Sequence, residues 1–234
     1  MIEFYASNKL LVWLAAILLS MLVCLVYYLF FGSHMVSKEE KPPILIKRLG
    51  TGEWISHWLI LLGFLVLAVT GIVQILPGYE PLHLGPFHGW LGVVFLIIVL
   101  VTFIKWIPDA IFKRYDWPWL LKLGGYLSRQ PEQLPAGRFN AGQKIYYWSI
   151  FLVVIGLLVS GIFMEQGSSI LTHSPEGRKE FFWCIHGLLG CLASAMVIGH
   201  GFLSVFVNPD AAGVLWSGKI SKAYTDYYHS LWIN

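Results

Sequence analysis

Residues 181–207 read FFWCIHGLLGCLASAMVIGHGFLSVFV, a stretch without Asp, Glu, Lys or Arg. As a helix at ~1.5 Å per residue it runs roughly 40 Å, enough to cross a bilayer with some tilt. It holds two histidines, His186 and His200. Their spacing is close to four helical turns, so both imidazoles lie on nearly one face, roughly 21 Å apart along the axis. An ionisable side chain inside a span is costly and marks a candidate functional site.

Working outward, four more apolar runs precede this one: Leu10–Phe31, Trp54–Leu76, Phe87–Ile107 and Ile145–Phe163. The chain is 57% hydrophobic and 12% charged, about half the charge of a soluble domain. The expected fold is therefore an all-α integral membrane helical bundle. The first run has a cleavable signal peptide as its rival reading. Its length, its weakly charged start (Glu3 and Lys9) and the lack of a small-x-small site favour a retained helix. Pro42–Pro43, Pro77–Gly78 and Pro108 punctuate the runs. Cys24, Cys184 and Cys191 lie in apolar sequence without CxxC spacing, which supports neither a disulfide framework nor an iron–sulfur site. No basic run on a polar face supports a nucleic-acid partner.

The basic residues orient the spans. If the first helix runs outside to inside, segments 32–53 and 105–144 and the tail share one side, with 13 of the 16 Lys and Arg. The positive-inside rule then puts the N-terminus outside and the C-terminus in the cytoplasm. On that inner side, Asp116–Leu127 (DWPWLLKLGGYL) reads as a surface-lying or partner-binding segment.

Eight histidines remain to be sorted. His34, His173 and His229 lie in polar segments and His83 in a Pro/Gly-rich loop, so all four are expected at the surface. The other four fall at two depths: His88 with His186 near the outer face, His57 with His200 near the inner face. A neutral imidazole on each side of an iron porphyrin is an electron-transfer arrangement with no position open to oxygen or substrate. Zinc would want further thiolate or carboxylate ligands, and no acidic residue accompanies either pair. Both His88 and His186 begin an HGxxG pattern, ending at Gly92 and Gly190. Those glycines lie one turn on, where a macrocycle edge would need an absent side chain. Val69-Thr70-Gly71-Ile72 and Val159-Ser160-Gly161-Ile162 form a second echo. There Gly71 and Gly161 suit either haem packing or helix–helix contact.

Arg138-Phe139-Asn140-Ala141-Gly142-Gln143-Lys144 opens the fourth helical run. Asn140 is a good N-cap. The amides of Asn140 and Gln143 could equally hydrogen-bond a quinone, and both readings stand. Lys144 and Arg138 could meet haem propionates, water or lipid phosphates.

This RFNAGQK run, His57-Trp58, the HxxxG at His88, the fourteen-residue histidine spacing and Gly218-Lys219-Ile220-Ser221 extend over residues 45–232. Over that range the chain resembles the cytochrome b (gamma) subunit of membrane-bound respiratory formate dehydrogenases. Cytochrome b subunits of nickel–iron hydrogenases and thiosulfate reductases are looser relatives. The resemblance implies a four-helix dihaem cytochrome b core with a cytoplasmic tail over 45–234. Residues 1–44 then form an added N-terminal transmembrane helix and linker. It implies two haem b groups, with His88 and His186 on the outer iron and His57 and His200 on the inner iron. A menaquinone or ubiquinone site would lie at Asn140, Gly142 and Gln143 beside His200. The partners implied are an iron–sulfur electron-transfer subunit and a catalytic dehydrogenase subunit, in a bacterial cytoplasmic (inner) membrane. Two other readings remain open: a hydrogenase or sulfur-compound reductase complex, including one that oxidises quinol, and a haem-free membrane anchor.

Overall fold

The computed structural model describes residues 2–34, 44–78, 84–128, 132–166 and 176–232; His83 and His173 lie outside them. In chain order the elements are α1 (Ile2–Phe31), β1 (Leu45–Lys47), α2 (Thr51–Val73), α3 (Leu84–Ala110), α4 (Asp116–Leu121), α5 (Ala141–Gln166), α6 (Glu176–Phe202), α7 (Pro209–Ser217), β2 (Lys219–Ser221) and α8 (Lys222–Tyr228). A wide π turn, Leu203–Val207, extends α6. Helices α1, α2, α3, α5 and α6 are long and apolar enough to cross a membrane, as only fully hydrogen-bonded helices or closed barrels can. The protein is an all-α multi-pass membrane bundle.

Two of the helix ends that differ from the apolar runs have local causes. Helix α1 starts well before Leu10 and bends at Asn8 (φ −125°, ψ 17°), whose Nδ2 donates to the Phe4 carbonyl at 2.9 Å. Pro108 does not end α3. It sits in the last turn, where one missing N–H costs a single ladder bond, and the helix continues to Ala110.

Helix α6 lies between α1 and α5, while α3 packs on α5 and α2 packs on α3. Helices α1 and α6 run parallel. Tyr5 meets Trp183 edge-on at 5.1 Å between ring centres, Trp13 packs against Cys191, and Tyr27 meets Phe202 at 6.1 Å. Two glycines of α6 make this approach possible. A Cβ at Gly187 would collide with the Tyr5 hydroxyl, and one at Gly190 would lie 2.8 Å from the Trp13 ring. Small residues serve helix contact in this way wherever lipid replaces water. Gly190 was expected at a macrocycle edge; its neighbour is α1. On the other face of α1, Leu11, Leu18, Leu22 and Leu29 are exposed, as hydrocarbon-facing side chains are.

Among the described residues, the segments around 44–50, 109–140 and 208–232 gather at one end of the bundle, the basic end. There β1 and β2 pair antiparallel, with Ile46 opposite Ile220. Gly218 ends α7 with φ +69°, a left-handed conformation that glycine adopts without penalty. Its carbonyl accepts from the Arg48 and Leu49 amides at 2.9 Å each. The Leu215 carbonyl accepts from the indoles of Trp54 and Trp58 at 2.8 and 2.9 Å. The tail is thereby tied to the first two turns of α2.

A buried carboxylate joins this end together. Glu53 accepts from Arg138 Nη2 at 3.0 Å, from Trp106 Nε1 at 3.0 Å and from the Gly50 amide at 2.7 Å. Arg138 also pairs with Asp109 at 2.9 Å. One ion network thus ties α2, α3 and the loop before α5. Lys144 is only 1% exposed and holds Asp116 at 2.8 Å, with the rings of Tyr115 and Phe112 around it. Arg138 and Lys144 therefore both hold internal carboxylates.

Two histidines expected at the surface are buried. His34 stacks on Tyr126 at 5.6 Å between ring centres. His229 Nδ1 donates to the Gly137 carbonyl at 2.8 Å. Burial pushes both imidazoles below the ordinary histidine range, so they are neutral struts of the folded tail.

Candidate functional site

Helix α6 faces α2 and α3 through histidine rings. His57 of α2 and His200 of α6 have ring centres 6.5 Å apart. His88 of α3 and His186 of α6 have centres 6.1 Å apart. The pairs sit at opposite ends of α6, the first at the basic end. The rings are inclined by 53° and 67° rather than stacked. With a metal–nitrogen bond of about 2.0 Å and about 1.1 Å from nitrogen to ring centre, rings on opposite sides of one ion lie about 6.2 Å apart. Both pairs match that spacing.

The donor set narrows the kind of group. Among the described residues no cluster of three or more His, Cys, Asp or Glu side chains could hold an ion. Two imidazoles alone do not complete a structural zinc site. They do complete an iron whose other four ligands come from a macrocycle. His57, His88 and His186 are half-buried and His200 is exposed, so a planar group can reach each ring. The residues present fit haem.

The rings of the second pair are held by their neighbours. His88 Nδ1 lies 2.8 Å from Thr70 Oγ1. His186 Nδ1 lies 3.0 Å from Ser160 Oγ and 3.0 Å from the Leu157 carbonyl. A Cβ at Gly71 would stand 3.5 Å from His88 Cε1, and one at Gly161 would stand 3.5 Å from His186 Cε1. These two glycines therefore bed the imidazoles on α2 and α5. Thr70 and Ser160 were passed over in the sequence, although the Val-Thr-Gly-Ile and Val-Ser-Gly-Ile repeats held the signal. Around Gly92 a Cβ would meet nothing within 4 Å.

At the basic end, Tyr146 stacks on His200 at 4.6 Å and 13°. One turn earlier, the Asn140 and Gln143 side chains close a reciprocal capping box. Asn140 Oδ1 accepts from the Gln143 amide at 2.9 Å, and Gln143 Oε1 accepts from the Asn140 amide at 3.0 Å. Both carbonyl oxygens are thus engaged, which leaves the side-chain NH2 groups as donors. Gly142 is covered by the Trp119 ring of α4, with which a Cβ there would collide. Helix α4 in turn exposes Trp117 and Leu121.

Comparison with known proteins identifies the family. Residues 48–217 match the family described as prokaryotic cytochrome b561. The nitrate-inducible formate dehydrogenase cytochrome b556(Fdn) subunit of Escherichia coli (strain K12) is 24% identical over 75% of this chain and 84% of its own length. The formate dehydrogenase cytochrome b556(fdo) subunit of the same organism is 22% identical over 80% and 91%. The formate dehydrogenase cytochrome b556 subunit of Haemophilus influenzae is 22% identical over 80% and 82%. With five helices able to span a membrane and a family match that covers most of its length, the chain belongs to the prokaryotic cytochrome b561 family, whose members carry haem b.

Proposed function

We propose that the chain is the dihaem cytochrome b subunit of a formate dehydrogenase-like respiratory complex. In this reading it passes electrons from an iron–sulfur partner on the outer side to a quinone near the cytoplasmic face. The catalytic dehydrogenase site belongs to another subunit. Residues 45–234 form the dihaem unit, and 1–44 add the helix that docks on α6. The basic end is the cytoplasmic end, by the positive-inside rule. The chain then sits in the bacterial cytoplasmic membrane with its N-terminus outside.

The observation that carries this reading is the pair of histidine couples, each spaced for one iron and both anchored on α6. Bound haem b supplies one-electron redox chemistry. His88 and His186 hold the outer iron, and His57 and His200 the inner iron. Trp58 fixes α2 to α7 next to His57. Tyr146 packs flat on His200 and connects that ring to the Asn140–Gln143 turn. Asn140 and Gln143 offer NH2 donors to a quinone oxygen, with protons drawn from the cytoplasmic side. The Trp119 ring over Gly142 forms the wall beside them. Electrons moving inward and protons taken up inside would separate charge across the membrane.

Asn140→Ser tests the quinone site. Serine is an equally good N-cap, so α5 keeps its start while the amide donor is lost. The expected result is full haem content with reoxidation of the reduced protein by a menaquinone analogue slowed about tenfold or more, one hydrogen bond at ~1.4 kcal/mol. Reoxidation at the unaltered rate would remove Asn140 from the quinone site.

A further inference from the structure

The Thr70-Gly71 and Ser160-Gly161 steps do the same thing on two helices, down to the atom. Thr70 Oγ1 donates to its own helix, to the Val66 carbonyl at 2.8 Å or the Leu67 carbonyl at 3.1 Å. Ser160 Oγ donates likewise to the Gly156 carbonyl at 2.7 Å or the Leu157 carbonyl at 3.1 Å. A hydroxyl has one hydrogen and two lone pairs. With the hydrogen committed to the backbone, each oxygen faces its imidazole as an acceptor. The hydrogen between them must then be carried by Nδ1 of His88 and of His186. Both rings are fixed in one tautomer, with the Nε2 lone pair free for a metal. Both hydroxyls are buried, Thr70 at 7% and Ser160 at 2% exposure.

The other couple is built differently. Among the described residues no hydrogen bond holds the His57 or His200 ring, and His200 rests on the Tyr146 face instead. A hydrogen bond from the far nitrogen of a ligating imidazole makes the ring a stronger electron donor. A stronger donor favours the more highly charged, oxidised metal.

Resting on the haem-ligand reading above, we propose that Thr70 and Ser160 are positioning residues that set the redox potential of the His88–His186 site. Their acceptor oxygens hold that site at a lower potential than its imidazoles alone would. This biases it toward the oxidised state relative to the His57–His200 site. The two contributions are unequal. His186 Nδ1 keeps the Leu157 carbonyl as a second acceptor, whereas Thr70 is the acceptor seen for His88.

Redox titration of the b absorbance in the purified full-length chain tests this. Thr70→Val should raise the midpoint of one component by about 59 mV, a tenfold change in its reduced-to-oxidised ratio, and leave the other component in place. Ser160→Ala should raise the same component by less. Thr70→Ser and Ser160→Thr keep the hydroxyl and should titrate as the unaltered protein does. Loss of one haem in Thr70→Val with retention in Thr70→Ser supports the same role. An unmoved midpoint, a downward shift, equal shifts in both components, or equal effects of the conservative variants would overturn it. An unaltered protein without b absorbance would overturn the ligand reading itself, and the inference with it.

Discussion

Replacing His88 or His186 by alanine is expected to leave a chain that binds one b haem in place of two. The two couples lie fourteen residues apart along α6, roughly 21 Å, so each site stands on its own ligands. His88→Ala would leave the iron of its site with a single imidazole, and the weakened hold should release that haem during purification. The His57–His200 couple keeps its ring spacing of 6.5 Å, because α2 is held independently at the basic end. Glu53 bonds to Arg138 and Trp106, and the Trp54 and Trp58 indoles bond to Leu215. The reduced-minus-oxidised α band should therefore fall to about half. His57→Ala and His200→Ala should each remove the complementary half. Loss of both haems from His88→Ala would mean that the sites are not separate. Two haems with an unaltered spectrum would mean that His88 is not a ligand.

Lys144→Ala should be the most destabilising change outside the histidines. The Lys144–Asp116 pair is 1–2% exposed on both sides, so the substitution strands a carboxylate in a dry site. Removing one partner of a buried ion pair costs about 3–5 kcal/mol, whereas replacing both by apolar residues of similar volume is close to neutral. At about 2–4 °C per kcal/mol for a chain of this size, the apparent Tm in detergent should fall by roughly 6–20 °C. The double variant Lys144→Met with Asp116→Leu should recover most of the loss. Equal losses in the single and double variants would place the effect in side-chain shape rather than in the charge pair.

What the sequence made legible is what periodicity and charge can carry. Five apolar runs became five long helices, and the segregation of Lys and Arg sorted four histidines into the two couples whose rings the structure brings together. What it hid depended on contacts between distant residues. Arg138 reaches Glu53 across 85 positions and Lys144 reaches Asp116 across 28, so neither partner could be read from the local RFNAGQK run. His34 and His229 sit among polar residues, yet the tail folds back through the β1–β2 pair and buries them. A glycine shows that something comes close without showing what. Gly190 admits Trp13 of α1, whereas Gly71 admits the His88 ring. Thr70 and Ser160 were in plain view, but a hydroxyl before a glycine acquires meaning only once its imidazole is placed.

Whether four histidines of this chain hold two b haems is decided by the haem count per chain of the purified protein, from the dithionite-reduced minus oxidised spectrum and the pyridine haemochrome. A b-type α band at about two haems per chain is the expected result. A value near one, or no band at all, would overturn the assignment of the two histidine couples.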